Sequence, residues 1–154
     1  MIFDKPFLVA MKRIDKANPY FVMKINTMNN TLILRIAVAI ILLTHSIPGM
    51  FNNGINDFGN LYLNQVGFAP FGLFIAWAIK LSHLVCAVLL ILNKFVKPAS
   101  FTTILILIAG IIMVHYKEGW FVVGMGRNGI EFNFLLICVL FSIIYQNKLG
   151  KTSR

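Results

Sequence analysis

Residues 31–51 read TLILRIAVAIILLTHSIPGMF, twenty-one positions of which only Arg35 and His45 carry ionisable side chains. At about 1.5 Å of rise per residue a helix of that length reaches roughly 30 Å, the thickness of a bilayer's hydrocarbon layer. Three more apolar runs follow, at 70–92, 98–116 and 130–145. The four runs begin near Asn29-Asn30, Ala69-Pro70, Lys97-Pro98 and Asn128-Gly129, break signals of the kind that sit at or just before helix starts. The expected fold is therefore all-α, an integral membrane four-helix bundle in a single domain.

Composition agrees with that choice of solvent. The 154 residues are 58% hydrophobic and 12% charged, with a mean hydropathy of +0.81. A soluble fold of this size leaves about a third of its chain surface in water, which does not suit so apolar a sequence. The net charge of +9 does not indicate nucleic acid, because the basic residues sit in short segments between apolar runs. Lys5, Lys12, Arg13, Lys16 and Lys24 precede the first run, Lys94 and Lys97 lie between the second and third, and Lys148, Lys151 and Arg154 follow the fourth. All fall on one side of a four-span topology, against Lys117 and Arg127 on the other, so both termini are expected in the cytoplasm. Tyr62, Tyr116 and Trp120 then belong to the outer aromatic belt and Tyr145 to the inner one.

Residues 1–30 lack the unbroken apolar centre and small-residue cleavage site of a signal peptide. At 100° per residue, Phe3, Phe7, Ala10, Met11 and Ile14 share an arc of about 100°, with Lys5, Lys12 and Lys16 opposite. This is the pattern of an amphipathic cytoplasmic helix lying on anionic lipid, ended by Asn18-Pro19; a disordered basic leader is the alternative. The polar connection from Phe51 to Ala69 is interleaved with Ile55, Phe58, Leu61 and Tyr62, consistent with a short helix on the outer surface. Cys86 and Cys138 stand far apart within apolar runs and read as packing residues.

An ionisable group in hydrocarbon is costly unless it faces the bundle and finds a partner, which makes each one a site candidate. Arg35 lies near the inner end of its run, where snorkelling to lipid phosphates is the ordinary expectation. His45 is about 15 Å further along, just before Pro48-Gly49. Lys80 falls near the bilayer centre with His83 one turn deeper on the same face. His115 ends the third run and Glu131 opens the fourth, on a face shared with Cys138, Ser142 and Tyr145 that reads as a polar seam toward the bundle centre. His45, His115, Arg127 and Glu131 are thus expected to converge in the outer third, above Lys80 and His83. The convergence has two readings, a functional pocket or a hydrogen-bonded network that locks the helices together.

Gly124, Gly126 and Gly129 satisfy G-x-G-x-x-G, but no βαβ unit surrounds them and no acid follows at the required distance, so a dinucleotide site is not expected. No zinc-type spacing, P-loop or nucleophile triad is present, and no residue is assigned a catalytic role. The histidines are not spaced as an evident haem axial pair and no flavin fold fits, so no resident cofactor is expected. A His pair and a Glu near one surface could instead hydrogen-bond a quinone carbonyl and exchange protons with water.

The first run, with Arg35-Ile36-Ala37 early and Thr44-His45-Ser46-Ile47-Pro48-Gly49 late, resembles the opening of the DoxX family. Tyr62-Leu63-Asn64-Gln65-Val66-Gly67-Phe68-Ala69-Pro70 is similar to that family's lead into its second helix, and His115 followed by Gly129-Ile130-Glu131-Phe132 to a third signature. Lys80 and His83 stand where the family usually has a Glu, and the Gly-Pro-Gly and Asp ending of many members is missing. The resemblance, from about Thr31 to Tyr145, implies a four-helix bacterial inner-membrane protein. Some family members are small subunits of quinone-linked sulfur oxidoreductases and others join membrane redox or detoxification complexes. Only Arg35, His45, His115 and Glu131 map onto the family's pattern. The implied role is a redox-associated subunit with an outer-half pocket for a quinone or other lipophilic molecule, or else a non-catalytic assembly subunit; the expected partners are the lipid bilayer and other membrane subunits.

Overall fold

The computed structural model describes residues 31–123 and 128–152. The amphipathic leader, Arg127 and two of the three loop glycines lie outside these residues. Among the described residues the chain is entirely helical, with four long helices: α1 (Leu32–Phe51), α3 (Gly72–Ile91), α4 (Val96–Met113) and α5 (Glu131–Thr152). A wide-turned helix α2 (Asp57–Phe68), preceded by the single turn Gly54–Asn56, fills the first connection.

Helices α1, α3 and α4 are long and apolar enough to cross a membrane, with mean hydropathies of 1.9, 2.2 and 1.9. The apolar part of α5, Glu131–Gln146, is shorter. The expected four spans are therefore matched at three helices by length and composition. Large apolar side chains cover the outside, among them Ile33, Phe74 and Ile112, as hydrocarbon solvent permits.

Local chemistry explains the boundaries. Pro48, in the last turn of α1, withholds one amide from the helical ladder just before the helix ends, and the amide of Asn52 closes on its carbonyl at 3.2 Å. Asn53 then takes a left-handed φ of 65°, which asparagine accepts more readily than most residues. Helix α4 begins two residues before the expected Pro98, since a proline within the first turn removes only an amide that has no intrahelical partner. It ends at Met113, so His115 lies in a following one-turn 3-10 helix, His115–Glu118.

The helices form a ring: α1 packs on α3, α3 on α4, α4 on α5, and α5 less extensively on α1. The diagonal pairs, α1 with α4 and α3 with α5, make no close backbone approach among the described residues. One half of the ring is closed by a core including Val38, Leu42, Leu90, Leu107, Leu140 and Ile143. At the other end Ile55, Leu63 and Ala76 form a second core, where α2 is pressed onto α3. That approach needs Gly59, because a Cβ there would lie 2.6 Å from the Cα of Leu73. Asn64 fixes the crossing by accepting from the Gly72 amide at 3.0 Å. The expected short surface helix is thus present but pinned, with Ile55 and Leu63 buried.

Candidate functional site

Where the diagonals stay apart, the ring encloses a cavity of about 810 Å³. It reaches from the end of the bundle that carries the α1–α2 connection toward mid-bundle. Every long helix contributes walls, including Ile41 and Leu42 from α1, Ile79 from α3, Leu107 from α4 and Leu136 from α5, with Phe58 of α2 at the near end. The lining is mostly apolar, and His45, Lys80, His83 and His115 are its titratable members; no Asp or Glu lines it among the described residues.

Lys80 and His83, one turn apart on α3, face the cavity together. The Lys80 ammonium donates to the His45 carbonyl at 3.0 Å and lies 5.9 Å from the centre of the Phe58 ring. The rings of His45 and His83 stand 6.0 Å apart, tilted by 59°. His83 is 3% exposed, and neither of its ring nitrogens has a hydrogen-bond partner. An unsatisfied buried polar group costs about 1–3 kcal/mol, so a merely structural histidine would be poorly placed here. His115 Nδ1 bonds the Asn128 carbonyl. A carbonyl only accepts, so Nδ1 carries a proton, and Nε2 stands beside Gly110 and Asn133.

The structure revises three expectations. Glu131 is not among the cavity-lining residues; its Oε1 accepts from the amides of Val122 and Val123 at 2.7 and 2.9 Å. Two backbone amides converge on one carboxylate oxygen there, a charge-assisted arrangement. The proposed seam on α5 is likewise turned away: Cys138 and Tyr145 are exposed, and the inward face is Asn133, Leu136, Leu140 and Ile143. Arg35, expected to snorkel, is 3% exposed and donates from Nη1 to the Leu90 carbonyl at 3.1 Å, tying α1 to the end of α3. The short α3–α4 connection leaves that carbonyl within reach, in place of lipid phosphate. Arg127 lies outside the described residues.

Asn133 was not singled out from sequence, although a buried amide in an apolar helix, two residues after Glu131, marks the opposite face at 100° per residue. Gly129 lets the loop return: a Cβ there would fall 2.5 Å from the Trp120 carbonyl oxygen, and the amides of Ile130 and Glu131 pair with the carbonyls of Gly119 and Trp120 at 3.0 Å. Tyr62 anchors α2 to α4 by donating to the Met113 carbonyl at 2.7 Å. Among the described residues no three His, Cys, Asp or Glu side chains gather as a metal set.

No curated protein and no solved structure matches the chain. A family model described as DoxX matches residues 30–116, more than half of its length. The matched stretch contains α1 to α4 and so supplies His45, Lys80, His83 and His115 to the cavity; with three membrane-length helices inside that match, the chain belongs to the DoxX family of membrane proteins.

Proposed function

We propose that this protein is a redox-associated subunit in a bacterial inner membrane, a single membrane domain whose central cavity receives a quinone or another lipophilic small molecule. The observation that carries the proposal is the cavity: its volume lies within the range of small-molecule sites, and its apolar walls hold a few convergent polar groups. Lys80 and a protonated nitrogen of His83 can donate to a carbonyl oxygen, while His115 Nε2 can accept a proton near the loop end. Helix α5, with 22 residues, is long enough at about 1.5 Å per residue to serve as a fourth crossing. Four crossings return both termini to the cytoplasmic side favoured by the basic residues.

The test is binding of a short-chain ubiquinone analogue to the purified protein in neutral detergent, read by quenching of tryptophan fluorescence. Saturable binding that is lost in the cavity-filling variant Leu107→Phe is the expected result. Non-saturable quenching, equal in wild type and variant, would remove the ligand site. A second reading, an assembly subunit without a ligand, draws on the exposed aromatic side chains Phe71, Phe74 and Phe121, which suit a protein partner as well as lipid. Migration as an isolated species on a native gel after gentle extraction would count against it.

A further inference from the structure

The titratable side chains that line the cavity among the described residues are a lysine and three histidines, beside the neutral amides of Asn52, Asn128 and Asn133. Lys80 brings an ammonium with three N–H donors, of which one reaches the His45 carbonyl. His83, one turn away and 3% exposed, has no partner at either ring nitrogen. No carboxylate lines the space among the described residues, and Glu131 is occupied by the amides of Val122 and Val123. A half-buried cation whose hydrogen bond runs to one neutral carbonyl has no counter-charge along the cavity lining among the described residues, and an anion entering the same space gains an attraction stronger than it would have in bulk water. The remaining lining includes Ile106, Leu107 and Leu136, which suit a hydrocarbon chain.

We infer that the cavity selects an amphiphile with a single carboxylate head, the head seated between Lys80 and His83 and the apolar body lying along Leu107 and Leu136. This rests on the cavity taking a lipophilic guest and names the chemical class of that guest. A carboxylate matches the donors present: one oxygen accepts from the ammonium and the other from an imidazole N–H. A phosphate dianion brings more charge and more acceptor oxygens than these donors satisfy, and its desolvation would go uncompensated.

The decisive experiment is equilibrium binding of radiolabelled palmitate, methyl palmitate and decylubiquinone to the full-length protein in neutral detergent at pH 8. Palmitate is expected to bind at least about tenfold more tightly than its ester, roughly the 1.4 kcal/mol of one charge-assisted contact. Lys80→Gln should bring the acid-to-ester ratio close to unity, and Lys80→Arg should keep it, with size-exclusion profiles confirming that both variants fold. Equal binding of acid and ester, or binding of the quinone alone, would overturn the carboxylate head while leaving a lipophilic guest in place, and an acid preference that persists in Lys80→Gln would overturn Lys80 as its seat. Failure of all three probes to bind would remove the guest itself. If Lys80→Gln does not fold, the wild-type acid-to-ester ratio still decides whether the head is anionic, and Lys80→Arg whether the charge at this position holds it.

Discussion

The ammonium of Lys80 on α3 donates to the backbone carbonyl of His45 on α1, 3.0 Å away and 35 positions distant in sequence. One hydrogen bond to a charged group contributes about 1.5–3 kcal/mol, yet withdrawing the ammonium from water costs several. Replacing Lys80 by Met removes both terms and nearly conserves volume. The expected thermal midpoint therefore stays within a few degrees of wild type, while binding of a polar-headed ligand is lost. A large drop in midpoint, with binding retained at the surviving fraction, would make Lys80 a structural lock.

His83 provides the complementary test. His83→Phe fills similar space and removes two unsatisfied nitrogens from the interior, so stability should hold or rise by about 1–2 kcal/mol, because removing an unpaired buried polar group can be neutral or stabilising. Chemical denaturation of the variant in mixed micelles would measure this. Clear destabilisation would show that the imidazole makes a native hydrogen bond.

At Gly59 an alanine methyl would collide with the Leu73 backbone, which has no flexible end to yield. Gly59→Ala should lift α2 from α3 and cost about 1–3 kcal/mol, the usual range for overpacking. A lowered thermal midpoint checks it, with Gly49→Ala, a helical position where a Cβ makes only ordinary contact with Ile55, as the nearly silent control.

Helix positions were legible from sequence because length and apolarity are what a bilayer measures, and the runs at 31–51 and 70–92 became α1 and α3 with ends shifted by at most two residues. Facing was less legible. In a soluble helix polarity marks the outside, but in lipid both faces are apolar, so Glu131 could be assigned to the wrong face of α5 while Asn133 passed unnoticed. Lys80 and His83 are legible as candidates because ionisable groups at depth stand out whatever surrounds them, and both line the cavity. Arg35 was misplaced for a different reason: its partner, the Leu90 carbonyl, is a backbone group supplied by the turn of another helix. No side-chain pattern announces such an acceptor.

Glu131 holds the returning loop by accepting two amide hydrogen bonds at one oxygen, and the two obvious substitutions separate shape from acceptor. Glu131→Gln keeps a carbonyl oxygen and should leave amide exchange at Val122 and Val123 close to wild type. Glu131→Leu removes the acceptor and should speed exchange at both amides several-fold without altering the buried stretch around Leu140. Hydrogen exchange followed by mass spectrometry distinguishes these outcomes. Unchanged protection in Glu131→Leu would mean that the pairing of Ile130 and Glu131 amides with Gly119 and Trp120 is sufficient to hold the loop.

The number of crossings decides whether the end of the chain lies on the same side of the membrane as the loop end of the cavity. With α5 as a fourth crossing, residues 52–69 and 117–129 lie opposite the end of the chain; with only α1, α3 and α4 crossing, the last residues share their side. Asn56 stands in the first connection and Lys148 near the end of α5. Single cysteines at these positions, in a background where Cys86 and Cys138 are serine or alanine, can be labelled in intact cells by a membrane-impermeant maleimide. Labelling of Asn56→Cys alone, with Lys148→Cys reacting only after lysis, is the pattern four crossings require. It would also open the loop end of the cavity, with His115 and Asn128, to the outer water. Labelling of both positions in intact cells would reduce the crossings to three, and α5 would then need a different account of its exposed apolar side chains Phe134, Leu135 and Phe141.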